Sequence, residues 1–71
     1  MWFKKKESVV ANKGDYVVVL HHWFGAQNKG WQSHTLKDVT EQEAINFGNM
    51  KVGEMSDTFN HVSFHVVEYK G

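Results

Sequence analysis

Five histidines and eight lysines are the side chains with which this cysteine-free chain of 71 residues could do chemistry, beside three tryptophans that could stack on a ligand. His61 and His65 stand four apart. On a helix that spacing would turn both imidazoles to one metal-binding face. The segment around them, FNHVSFHVVEY, alternates like a strand, where they still share a face but sit about 13 Å apart. A zinc ion would then have to collect His21, His34 and one of His61 or His65 from neighbouring strands. Nothing in the spacing requires this, so no metal ligand and no cofactor is expected. The alternative is that the histidines are half-buried, amphipathic packing residues.

Acid–base chemistry would need a histidine beside Asp15, Asp57 or Glu68. A small His-dependent ribonuclease-like enzyme could work with that little. Against it, the chain holds no nucleophile elbow, phosphate loop, HExxH or paired-carboxylate motif. Ser33 next to His34, and Ser63 near His65, are neighbours in sequence without being a triad. No catalytic residue is expected.

The elements that must position these groups are built around Asp15–Gly25, DYVVVLHHWFG, the longest apolar run. Its β-branched and aromatic residues suit a central strand. Tyr16, Val18, Leu20 and Phe24 alternate against Val17, Val19 and Trp23, and His21 and His22 fall on opposite sides. Asn12-Lys13-Gly14-Asp15 carries a turn signal. It predicts a hairpin with the preceding segment, with Val10 opposite Val17 and Val9 opposite Val18. Gly25–Gly30 reads as an exposed hairpin loop, returning into a strand over Trp31–Asp38. A symmetric loop pairs Phe24 with Trp31, Trp23 with Gln32 and His21 with His34, a register that any slip would undo.

From Val39 to about Met50 the pattern turns helical. Thr40-Glu41-Gln42-Glu43 fits a capping box, and Ala44, Ile45, Phe47 and Gly48, with Met50 or Val52, form the inward stripe. Gly53 is the expected stop, and Gly48 either packs closely on the sheet or begins the helix end. Phe59–Tyr69 is the last strand. The predicted fold is α+β, a β-β-β-α-β order with a small antiparallel sheet of three to four strands and one helix on one face, in a single domain spanning the 71 residues.

The start, MWFKKKESVVA, reads as the first strand, with its lysine run guarding an edge. The same residues would suit a short interfacial anchor. Myristoylation is excluded, because Trp2 occupies the position that must be glycine. No apolar run approaches the roughly 20 residues that cross a bilayer, no signal-peptide pattern opens the chain, and cysteine is absent. These point to a cytoplasmic protein without a membrane span, in the host cytoplasm if the protein is viral. The formal net charge is zero, which argues against a nucleic-acid partner, since phosphate neutralisation supplies most of such affinity. Sheet aromatics with Lys4–Lys6, Lys29 and Lys37 keep that alternative open.

One helix covers one side of a sheet. The other side is expected to expose Val17, Val19, His21, Trp23, Leu36, His61, His65, Val67 and Tyr69, unless the N-terminal segment folds over it. Such a face marks an interface. The expected partner is another protein, or a second copy in a homodimer that would support a small core. Its contacts are expected from His21, Trp23, Trp31, His34, His61, His65 and Tyr69, with the Gly25–Gly30 loop beside Trp31 as a second recognition point. In size, in lacking cysteine and proline, and in its aromatic content, the chain resembles the small accessory proteins that bacteriophages make against host proteins. No motif carries that resemblance and no residue role follows from it. It implies an inhibitor or modulator that acts by binding.

Overall fold

The computed structural model describes residues 12–70. Strand β1 (Lys13–Phe24) is followed by strand β2 (Gln27–Thr40), helix α1 (Glu41–Met55) and strand β3 (Asn60–Tyr69). The three strands form one antiparallel sheet in the order β2-β1-β3, so the apolar run is the central strand, as its composition predicts. The fold is α+β.

The expected first strand falls on residues outside the described range. Its proposed partner is nonetheless occupied: β1 pairs with β2 along one edge and with β3 along the other. The expected pairs of Val10 with Val17 and Val9 with Val18 lie outside the described residues with that first strand. Lys13 and Gly14, expected in a turn, lie in β1 opposite Thr40 and Val39.

The β1–β2 connection is tighter than the composition of Gly25–Gly30 suggests. Two residues, Gly25 and Ala26, make the turn between the strands. Gly25 has φ 59° while Ala26 does not have a positive φ, the pattern of a type II′ turn, in which glycine fills the first central position. Gln27 to Gly30 already belong to β2, and Lys29 is an extra residue there. Trp23 faces Asn28, whereas His22 faces Gly30, so the ladder contains a β-bulge. A second bulge places both Lys37 and Asp38 against Asp15. Asp38 takes φ 58° and its N–H donates to Asp15 Oδ1 at 3.0 Å. Aspartate tolerates this left-handed conformation better than most residues.

The two-residue turn and the bulge at Lys29 displace the expected register. His21 lies opposite Trp31 rather than His34, Trp23 opposite Asn28 rather than Gln32, and Phe24 opposite Gln27 rather than Trp31. A shift of three positions, from 34 to 31, is odd, so it also exchanges the faces of β2.

The helix begins as predicted. Thr40 is the N-cap: Glu43 N–H donates to Thr40 Oγ1 at 3.1 Å, and Thr40 N–H donates to Glu43 Oε1 at 2.8 Å. Glu41 and Glu43 lie at the positive end of the helix dipole. Gly53 does not stop the helix, which continues to Met55; Ser56 caps it in extended conformation, its N–H donating to Val52 O at 2.9 Å. Ala44 and Gly48 are buried, and Phe47, Val52 and Met55 pack around the core. Met50 is exposed.

Gly48 settles between its two predicted roles. A β-carbon there would overlap the ring of Phe64, so the glycine lets the helix lie against β3. The fully buried core is small, comprising Val18, Leu20 and Ala44, with Tyr16, Leu36, Val62, Phe64 and Val66 half-buried around it.

Candidate functional site: the open face of the sheet

Residues directly opposite one another in an antiparallel ladder share a face. Val18 and Leu20 pack on Ala44 of the helix, so their partners His34 and Gln32, and Val66 and Phe64, belong to the covered face. The other face is read from the odd-numbered positions of β1. Val17 lies between Thr35 and Val67, and Val19 between Ser33 and His65. His21 lies between Trp31 and Ser63, and Trp23 between Asn28 and His61. Asp15 and Tyr69 end the row.

Six of the seven predicted contact residues therefore share this face: His21, Trp23, Trp31, His61, His65 and Tyr69. Trp31 is 59 % exposed, Tyr69 and Val67 48 % each, and Trp23 36 %. Tyr69 lies at the far end of the row from the tryptophans.

His34 is a correction. The displaced register turns it under the helix, opposite Val18, with its ring edge-on to Phe47 at 5.3 Å between centroids. Its buried Nε2 has no hydrogen-bond partner among the described residues. Leu36, expected on the open face, moves with it and packs against the core opposite Tyr16.

The aromatic end of the face is held by a small network. Trp31 stacks on His21, with 3.9 Å between centroids and 14° between planes. Trp23 tilts against the same imidazole at 5.0 Å, and His65 meets Trp31 edge-on at 6.3 Å. The Trp23 Nε1–H donates to His21 Nδ1 at 3.3 Å. Indole nitrogen can only donate, so Nδ1 accepts and the ring proton sits on Nε2, 2.9 Å from Asn28 Oδ1. Asn28 Oδ1 also accepts the Gly30 N–H at 2.8 Å, which fixes the orientation of its amide. Both His21 nitrogens are thus engaged and the ring is immobilised.

Asn28 was missed in reading the sequence. Its spacing from Gly30 is that of an Asx turn, and this was the available signal. A second missed feature is the pair Phe24 and Phe59, 48 % and 62 % exposed with centroids 6.0 Å apart. They flank the β1–β2 turn, where Gly25 N–H donates to Phe59 O at 2.7 Å.

Charge is sparse on the open face. Between Asp15 and Trp23 its paired positions carry one carboxylate, Asp15, and Lys37 Nζ lies 4.0 Å from it.

Asp57, just ahead of β3, belongs to a different network. Its carboxylate accepts the backbone N–H groups of Asn60 at 2.8 Å and Phe59 at 2.9 Å, and both oxygens accept from the Asn60 side-chain amide at 3.0 Å. These bonds, the Asn60 backbone first, hold the Asp57 carboxyl below its ordinary 3.8. Because Asn60 Nδ2 points to Asp57, its Oδ1 faces His22 Nε2 at 2.7 Å and accepts its proton. His22 therefore sits on the side opposite His21, as the alternation predicts.

Among the described residues no group of three or more His, Cys, Asp and Glu is placed to hold a metal ion, and no cavity is enclosed. No helix among them is long and apolar enough to cross a membrane. Comparison with known protein families, with curated proteins and with solved structures finds no match to this chain.

Proposed function

We propose that the chain is a non-enzymatic module that binds another protein through the open face of its sheet, as an inhibitor or small modulator of that partner. The observation that carries this reading is the uncovered row of Trp23, Trp31, Val67 and Tyr69 on the side opposite the helix. Tryptophan and tyrosine dominate binding energy at protein interfaces, and a flat apolar face rimmed by polar groups is their usual setting. The locked His21 ring adds preorganisation: the tryptophans beside it lose less freedom on binding than free side chains would. Sparse charge on the face favours a protein surface over phosphate.

The test is affinity capture from native cell extract with wild-type and Trp31→Ala baits. A protein held by the wild type should bind the variant roughly 30-fold more weakly, equivalent to about 2 kcal/mol, while the circular dichroism of the bait is unchanged. Equal retention by both baits removes the open face from consideration. Salt-sensitive binding of oligonucleotides by the same face would replace the protein partner with nucleic acid.

A further inference from the structure

We propose that a second copy of this chain occupies the open face, forming a weak, two-fold sandwich that a tighter protein partner displaces. This rests on the reading of the open face as a protein-binding surface and names one of its occupants.

Three observations converge on a second copy. The first is charge. A two-fold contact sets a surface against itself, so any net charge on it repels its own image. Here the one carboxylate in the paired row, Asp15, is matched by Lys37, and the remainder is aromatic, aliphatic, hydroxyl, amide or imidazole. The second is size. The row from Asp15 to Trp23 across three strands has a footprint of roughly 30 by 14 Å from strand rise and spacing. That is at the small end of what specific association uses, so the dimer is weak, with a Kd in the micromolar range.

The third is shape. Along β1 and β2 one end of the face is tall, with Trp23, Trp31 and His21, and the other is low, with Val17, Val19, Ser33 and Thr35; on β3, His65 stands at the middle beside Val19, between His61 at one end and Val67 and Tyr69 at the other. A two-fold axis lying across the strands near Val19 sets the two sheets antiparallel. It lays the tall end of one copy over the low end of the other, and places Thr35 against Trp31 of the second copy. Two sheets packed this way sit about 10 Å apart, which tryptophan over valine and threonine can fill.

Sedimentation velocity of the full chain between about 5 and 500 µM is the test. The wild type should pass from 8.2 kDa monomer to dimer across that range, with a blue shift of tryptophan emission. Thr35→Lys and Val67→Lys alter exposed positions, so the fold should survive by circular dichroism while self-affinity falls at least tenfold. Trp31→Ala should do the same, and Met50→Lys on the helix should change nothing.

Mixing Trp31→Ala with Thr35→Lys tests the orientation. In the tall-over-low arrangement the mixed dimer keeps one undamaged contact zone, so the mixture should associate more tightly than either variant alone. An affinity between those of the two variants overturns the orientation. A wild type that stays monomeric at 500 µM, or a dimer indifferent to both lysine variants, overturns the second copy. If a captured partner is still lost on Trp31→Ala, the protein-binding reading stands without it. If no partner depends on Trp31 either, both fall.

Discussion

The two faces of the sheet are made from the same strand and stabilised in different ways. On the covered face Val18 and Leu20 are fully buried against Ala44, and half-buried rings of Phe47 and Phe64 close the sides. On the open face the equivalent positions, Val17 and Val19, are only half-buried, shielded by neighbouring side chains in the sheet. The open face holds itself together laterally, through the stack of Trp31 on His21 and the bonds to Trp23 and Asn28. One face is ordered by burial under a second layer. The other is ordered in the plane, without being removed from water. Stability therefore belongs to the first and recognition to the second, and substitutions should separate them.

The largest separation should come from Leu20→Ala. A fully buried leucine in a core this small has little around it to collapse into the space, so the loss should be about 3 kcal/mol by urea denaturation. Trp31→Ala should cost about 1 kcal/mol of stability or less, because the ring is already 59 % exposed, and its loss should register as the roughly 30-fold weaker partner binding described above. If Trp31→Ala unfolded the domain as Leu20→Ala does, the distinction between the faces would collapse.

Gly48→Ala probes how closely the covering layer sits. In an ordinary helix interior this change gains about 1 kcal/mol. Here the new methyl meets the Phe64 ring, and overpacking costs about 1–3 kcal/mol, so a net loss of up to about 2 kcal/mol is expected. A gain would mean the helix has room to lift from β3. Thr40→Ala removes one arm of the capping box at the start of the same helix, and its expected cost is about 1 kcal/mol.

The helix start and the central strand were more legible in the sequence than the register of β2, for physical reasons. The capping box is a local pattern of two residues three apart, and Thr40 and Glu43 fulfil it. The central strand is legible because period-two apolarity over Tyr16 to Trp23 survives any choice of partner. Register is non-local. It depends here on a two-residue turn and on two residues, Lys29 and Asp38, that each lengthen β2 at a bulge. Lys29 has no composition signal for a bulge, and a glycine such as Gly30, with φ 105°, equally suits a loop. The two-residue turn moves the pairing by four and Lys29 takes one back, while Asp38 lies beyond Leu36 and does not count; the net shift of three puts His34 and Leu36 on the covered side. His21, Trp23, His61 and His65 escaped that error because β1 and β3 alternate cleanly from Asp15 to Phe24 and from Asn60 to Tyr69.

The smallest expected effect lies where the covering helix hands over to β3. Asp57 accepts two backbone N–H groups and the Asn60 amide, and its carboxyl is held below 3.8 in the folded chain. A carboxyl whose folded pKa is depressed adds stability wherever it is ionised in both states, and that contribution disappears as pH falls from the unfolded pKa through the folded one. The stability difference between wild type and Asp57→Asn should therefore be flat from about pH 7 to 5 and shrink below about pH 4. The asparagine keeps an acceptor for one N–H, which is why the difference should be small even at neutral pH. Paired urea titrations across that range give the measurement. A difference that widens on acidification would show that the carboxylate does not stabilise this joint, and that β3 is held by its pairing with β1 and its packing under the helix.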